Sequence, residues 1–314
     1  NTITRYLGIL IAFIQGCMYA FAFVQTDNSL VLLEYAAVLT AGTAFLLWIG
    51  DQITQKGIGN GISLIIMAGI IMTIPTMFAE VWSSVVTIGT AQETSLGIVT
   101  FIAFVLVYIA ILLGVVFEET SERRIPIQYA NKSTSAYGAT HNYIPFKLNS
   151  AGVMPVIFAS ALISIPGIIA GVIKNDGFQL FVSKYLSFNS GTGFALYILF
   201  IILFAYFYTF LQVKPKELSE NLQKNGGYIP GVRPGEETVK YISTVLKRIT
   251  IVGAVFLSVI AGLPIVFGWF SNLPTSVSIG GTGVIIIVGV ALETYKQLES
   301  QLVTRSYTKG RRRY

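Results

Sequence analysis

Eight long apolar runs alternate with shorter polar stretches along this chain. They cover Leu7–Val24, Leu30–Gly50, Gly61–Ala79, Leu96–Phe117, Ala151–Ile173, Gly193–Val213, Ile249–Phe270 and Ile279–Leu292. A helix that crosses a bilayer needs about 20 apolar residues, so each run is long enough to span, the last with help from its flanks or a thin bilayer. The pattern predicts an all-α polytopic membrane bundle. Prolines interrupt three runs, at Pro75, Pro155, Pro166 and Pro264. Neighbouring helices can satisfy the backbone groups that proline frees, so these positions permit either static kinks or motion. The run Ala151–Ile173 has two prolines and is the best candidate for a mobile helix.

The polar stretches are unequal. Two are long, Glu118–Ser150 and Lys214–Arg248. In the first, Ile125–Tyr129 alternates loosely and suits a short strand, and the small polar residues Ser133–Asn142 suit a hairpin tip. The second holds Pro230-Gly231 and Pro234-Gly235, which force tight turns and present Arg233 at a loop tip. Such a loop is either a solvated connector or a docking tip. The short segment Gly57-Ile58-Gly59-Asn60-Gly61-Ile62-Ser63 lacks nucleotide-loop spacing. Its glycines suit a turn into the next span, with Asn60 as a cap.

Composition narrows the class. Of 314 residues, 54% are apolar and 11% charged, against about 25% charged in soluble domains. That excludes an ordinary soluble enzyme, a disordered chain and a small disulfide scaffold. Cys17 is the single cysteine and His141 the single histidine, so neither an intrachain disulfide nor a multi-histidine metal site can form. No nucleophile–base or metal motif is present, and no cofactor is expected. The chain begins at Asn1 with no signal-peptide pattern and is read as lacking its natural N-terminal part.

Charge supplies orientation. Of the 21 lysines and arginines, all but Lys174 and Lys184 lie on the side of the spans that faces the N-terminus. This positive-inside asymmetry puts both ends of the chain in the cytoplasm. Trp48, Trp82 and Trp269 fall at span ends, as an aromatic belt requires. The tail Glu293–Arg313 leaves the last span as a polar helix, and its Arg311-Arg312-Arg313 cluster suits a topogenic anchor, anionic lipid or RNA. The spans carry no midplane ionisable group of the kind an ion-coupled transporter needs. A small-molecule secondary transporter is therefore the alternative rather than the leading reading, and a non-conducting scaffold is a third.

Four stretches resemble one family. They are Trp48–Thr54 (Trp-Ile-Gly-Asp-Gln-Ile-Thr) with the glycine-rich turn after it, and Asn149–Ser160 (Asn-Ser-Ala-Gly-Val-Met-Pro-Val-Ile-Phe-Ala-Ser). The others are Asn221–Glu236 (Asn-Leu-Gln-Lys-Asn-Gly-Gly-Tyr-Ile-Pro-Gly-Val-Arg-Pro-Gly-Glu) and Gly280-Gly281-Thr282. In this order they resemble the SecY family, the channel subunits of bacterial Sec protein translocons, with wording nearest to Gram-positive members. The resemblance implies an inverted-repeat channel of ten spans, of which this chain carries eight and lacks the first two with the plug between them. Residues 1–117 would be spans three to six, 151–213 spans seven and eight, and 249–292 spans nine and ten. Segments 118–150, 214–248 and 293–314 would be cytoplasmic.

The resemblance also implies roles. Ile62, Ile66, Ile157 and Ile286 would belong to the aliphatic pore ring; Ile62 and Ile66 are spaced to share one helix face. Gln15, Ser160 and Ser164 would be polar groups at a lateral gate, where Leu7–Val24 meets Ala151–Ile173 and Gly193–Val213. Arg123, Arg124 and Arg233 would dock the SecA ATPase or the ribosome. SecE and SecG would be membrane partners, and the cargo an unfolded polypeptide with its signal sequence. Anionic lipids complete the expected partners, and the bacterial plasma membrane is the expected location.

Overall fold

The apolar runs fold as helices because every backbone donor and acceptor in hydrocarbon must be satisfied within the segment. The computed structural model describes residues 2–24, 28–86, 91–129, 142–173, 175–188, 190–271 and 275–310, the side chains of 2, 4, 91–94, 275–281 and 303–310 excepted. The helices are α1 (Thr2–Phe23), α2 (Ser29–Lys56), α3 (Gly61–Val85), α4 (Ala91–Thr120), α5 (Met154–Val172) and α6 (Asp176–Tyr185). They continue with α7 (Gly191–Gln212), α8 (Pro215–Lys224), α9 (Glu236–Ser271) and α10 (Thr275–Gly310). Among the described residues, seven helices are long and apolar enough to cross a membrane. They match the first seven expected runs. The eighth run, Ile279–Leu292, falls in α10, and part of it lies outside the described residues. Lys132, His141, Lys174, Asp27, Arg311, Arg312, Arg313 and the expected hairpin tip from 133 to 141 also lie outside them.

Large apolar side chains such as Leu33, Leu39, Leu106, Leu113, Leu203 and Phe207 point outward and are exposed. Such a surface is a liability in water and ordinary against lipid. The main buried cluster is built from α4, α5, α7, α9 and α10, with Tyr197, Ile201, Leu257, Ile265 and Ile285 fully buried. Helix α1 packs on α2 and α5, and α3 packs on α2, α4 and α10.

Two local devices set helix placement. At the turn between α2 and α3, Asn60 caps α3 by accepting from the amides of Ile62 and Ser63 (3.1 and 3.5 Å). Thr54 Oγ1 donates to the Gly50 carbonyl and accepts from the Gly61 amide, both at 2.8 Å. The two helices meet so closely here that a Cβ on Gly61 would collide with the Gly50 carbonyl. Thus the Gly-rich turn is a helix-packing device. Beside α5, Asn149 Nδ2 donates to the Gly152 carbonyl (3.0 Å) and to Glu119 Oε1 (3.4 Å), while Lys296 Nζ donates to the Glu119 carbonyl (3.3 Å). These bonds tie the end of α4 to the approach of α5 and to α10.

The structure corrects two expectations. Pro155 sits in the first turn of α5, where its missing amide costs nothing, so only Pro166 interrupts that helix. The second long polar stretch, expected as a loop, is largely ordered, whereas the first holds a strand where one was expected. The first holds strands β1 (Glu122–Tyr129) and β2 (Asn142–Lys147), paired antiparallel. The second holds α8, the short strand β3 (Gly227–Tyr228) and the first turns of α9. Strand β3 pairs with the end of β1, matching Gln128 to Tyr228 and Tyr129 to Gly227. The bundle is therefore all-α with a small three-stranded sheet, ordered β2-β1-β3, outside the apolar runs.

Gly61→Ala should lower stability by about 1–3 kcal/mol, the cost of overpacking, and Thr54→Val by about 0.6 kcal/mol, the mean for an interhelical bond. Denaturant titration in detergent checks both. Equal stability of Gly61→Ala and the parent would contradict the close approach.

Candidate functional site

Two half-open cavities adjoin among the helices. One, of about 570 Å³, lies between α1 and α5 and is lined by Ile14, Gln15, Ile157, Ser160, Ser164 and Thr282, among others. The other, of about 650 Å³, lies between α3, α5 and α10, with Ile66, Thr73, Glu80, Ser160, Thr282 and Ile286 in its wall. Ser160 and Thr282 line both, so they mark the boundary.

The four ring candidates do not lie alike. Ile66, 38% exposed, and Ile286, 8% exposed, face the second cavity. Ile157 faces the first. Ile62 lines neither; it is 43% exposed at the start of α3, against Gly50. Gln15, Ser160 and Ser164 share the first cavity. Ser160 Oγ donates to the Ile157 carbonyl (2.9 Å) and Ser164 Oγ to the Ser160 carbonyl (2.8 Å). Both protons stay within α5, because the nearest acceptor to a helical serine is a carbonyl three or four residues back.

The arginines occupy the sheet and its neighbouring turns. Side chains alternate along a strand, so Arg123 and Arg124 leave β1 on opposite faces. Arg123 lines a cavity of about 510 Å³ shared with Arg248, Tyr241 and Val252 of α9. Arg124 Nε donates to Glu122 Oε1 (2.7 Å), which raises the guanidinium pKa, and its guanidinium sits 4.7 Å from the Tyr143 ring centre. The basic pair is thus split. Beneath the sheet, Ile125, Ile127, Phe146, Leu222, Ile229, Ile242 and Leu246 form a second core.

Arg233 projects from a braced turn. The Val232 amide donates to the Ile229 carbonyl (3.1 Å) across Pro230-Gly231, and Gly231 has φ +82°, the left-handed value this turn needs. The carbonyl of Arg233 accepts from buried Thr238 Oγ1 (2.8 Å), and that of Gly235 from Ser219 Oγ (3.1 Å). Its guanidinium is left exposed. Because β3 pairs with β1, both long polar stretches form one body carrying all three arginines.

The family model described as SecY matches residues 1–295. The chain belongs to the SecY family. Protein translocase subunit SecY of Staphylococcus epidermidis is 44% identical over 316 residues, which cover 98% of this chain and 73% of that one. The same subunit of Halalkalibacterium halodurans is 44% identical over 314 residues, covering 97% and 73%. A solved SecY channel, in which the plug domain stabilises the closed state, superposes with a TM-score of 0.71 at 20% identity, covering 96% of this chain and 73% of that one. Sec61 from the canine ribosome–channel complex superposes with a TM-score of 0.64 at 18% identity, covering 96% and 72%. These two likenesses speak to the fold alone. Members of the SecY family are non-catalytic channel subunits, and this chain is a bacterial multi-pass membrane protein with a SecY-like protein-conducting function.

The wall of the second cavity also includes Thr73, Thr76 and Glu80, which the reading of the sequence passed over. Their spacing, continued from Ile66 in steps of three or four, was the available signal. Glu80 fell just beyond the apolar run and so escaped the search for groups near the midplane.

Thr238→Val should remove about 1 kcal/mol of support from the Arg233 turn. Exchange of the hydrogen-bonded amides that flank the tip, those of Val232 and Val239, should then quicken about fivefold. Unchanged exchange would show that the brace does not hold the tip.

Proposed function

We propose that this chain is the central pore-forming subunit of a Sec translocon, moving unfolded polypeptides across the membrane and apolar segments sideways into it. The observation that carries this reading is the meeting of the two cavities at Ser160 and Thr282. One cavity is bounded by the candidate gate helices and the other by candidate ring residues, so a chain in the second has an apolar side route through the first. Helices α1–α4 would correspond to spans three to six of the family, α5 and α7 to seven and eight, and α9 and α10 to nine and ten. The sheet and the turn at Arg233 would lie in the cytoplasm with both ends of this chain.

Ile62, Ile66, Ile157 and Ile286 would narrow the pore. Branched aliphatic walls wet poorly, so a narrow ring of them opposes ion flow and forms no hydrogen bonds to cargo. Gln15, Ser160 and Ser164 would lie along the gate. The serine hydroxyls are satisfied within α5, so separating α1 from α5 breaks no bond that they donate. That favours opening by an apolar signal sequence. Arg123, Arg124 and Arg233 would meet SecA or the ribosome, since a guanidinium fork binds carboxylate or phosphate bidentately. SecE and SecG would flank the bundle, with anionic lipids around it.

Two experiments test the reading. Arg233→Glu should abolish SecA-driven transport into vesicles while membrane insertion persists; an unchanged transport rate would remove Arg233 from the docking role. Replacing Ile62, Ile157 and Ile286 together by Ser should raise ion conductance of the assembled channel in planar bilayers. A seal as tight as the parent's would refute the ring.

A further inference from the structure

The cavity between α3, α5 and α10 carries more chemistry than a seal requires. Its wall on α3 passes through Ile66, Ile70, Thr73, Thr76 and Glu80. Steps of three or four residues keep these side chains on one helix face. At 1.5 Å per residue, Glu80 lies about 21 Å along the helix from Ile66, near the end of α3 marked by Trp82.

Three of the hydroxyls in this wall, those of Thr73, Thr76 and Ser160, are committed as donors. Thr73 Oγ1 donates to the Ile70 carbonyl and Thr76 Oγ1 to the Thr73 carbonyl, both at 2.8 Å; Ser160 Oγ donates to the Ile157 carbonyl. A hydroxyl has one proton and two lone pairs, so what these groups keep for the cavity is acceptor capacity. Among the described residues the lining holds no lysine, arginine or histidine, and Glu80 is its one ionisable residue; it is exposed, and no salt bridge among the described residues reaches it. The wall therefore presents lone pairs and a negative charge, with no cation to offset them.

We propose that this cavity is a charge-selective chamber beyond the constriction, which favours the ammonium and guanidinium groups of a passing polypeptide over its carboxylates, with Glu80 as the specificity-determining residue. The inference rests on the pore reading above and adds a cargo preference to it. At about 0.1 M salt, where screening roughly halves the bare interaction, a single carboxylate about 7 Å from the path in a largely aqueous cavity shifts the local ratio of cations to anions about threefold. The preference is electrostatic, so it should fade in 1 M salt, where the screening length falls to about 3 Å.

The test uses the assembled channel with Ile62, Ile157 and Ile286 changed to Ser, placed in a planar bilayer across a KCl gradient. Its reversal potential should show a preference for K⁺. Glu80→Gln should lower the permeability ratio of K⁺ to Cl⁻ about threefold, and Glu80→Lys should invert the preference. In a second arm with the unmodified ring, a cargo bearing a run of lysines should cross faster than one bearing glutamates, and Glu80→Gln should narrow that difference. An unchanged ratio in both arms, with the ring-variant current intact, would overturn the chamber and leave the pore reading standing. A shifted reversal potential with an unchanged cargo ratio would overturn cargo side chains as the favoured ligand. No current from the ring variant would overturn the pore reading, and the chamber with it.

Discussion

Close approach of helices along α9 is the constraint on which this bundle depends. Lipid tails are as apolar as leucine, so burying apolar side chains gives little drive to associate in a membrane. Dispersion contacts at short range must supply it, and these need small residues. The buried face of α9 provides them in a row: Thr250, Gly253, Ala254, Ser258, Ala261 and Gly262, with Leu257 and Ile260 between. At Gly253 a Cβ would collide with the Leu148 carbonyl, and at Gly262 it would press on the Phe194 ring at 3.1 Å. Helices α4, α7 and α10 all pack on this helix. Thr250 and Ser258 return their hydroxyl protons to carbonyls four residues back, so the face stays free of unsatisfied donors.

The other end of the bundle is held differently. Helix α1 packs on α2 through Gly16, where a Cβ would lie 3.2 Å from the Ala36 carbonyl. Arg5 adds an ion pair to Asp51 at 2.9 Å, but both side chains reach solvent and such pairs contribute little. Against α5, helix α1 packs over only part of its length and leaves a cavity beside that contact. The firm contacts of α1 are with α2, which is in turn locked to α3 through Thr54, Gly50 and Gly61. The seam between α1 and α5 is thus the weakest boundary along α1, because small residues and bridging hydroxyls are concentrated elsewhere. A gate at that seam needs only a loose contact between two firm groups.

What the sequence made legible follows the range of the interactions. The helices were visible because hydrophobic length is a local property. Asn60 as a cap was visible because capping reaches only two or three residues. Pro155 was misjudged because the end of the apolar run at Ala151 is not the first turn of the helix at Met154. The early turns of α9 were hidden because Glu236–Arg248 is polar enough to resemble a loop, while its Ile242 and Leu246 serve the small core under the sheet. The pairing of β3 with β1 joins residues about a hundred positions apart, and a two-residue strand has no pattern of its own. Among the candidate site residues, the resemblance named the isoleucines, but only the folded backbone separates Ile66 and Ile286 from Ile62. No local signal encodes which face of a helix borders a cavity.

The sheet changes what the scarce charge means. Along the chain, Arg123, Arg124 and Arg233 look like members of two separate loops that merely enforce topology. Pairing of β1 with β3 and burial of Ile229 beside Ile125 and Ile127 join those loops into one body. Tyr228 Oη donates to Gln128 Oε1 at 2.9 Å across the joint. A topogenic charge needs no such support, since counting cations near span ends is enough to orient a helix. A recognition charge does, because ordering a guanidinium at the moment of binding costs side-chain freedom. At Arg233 the backbone is fixed by the Pro230-Gly231 turn and the Thr238 bond, while the charged end remains free. Arg124 is the opposite case, already engaged by Glu122 and Tyr143. A partner would therefore gain more from Arg233 than from Arg124, and the two arginines that are adjacent in sequence contribute on different faces of the sheet.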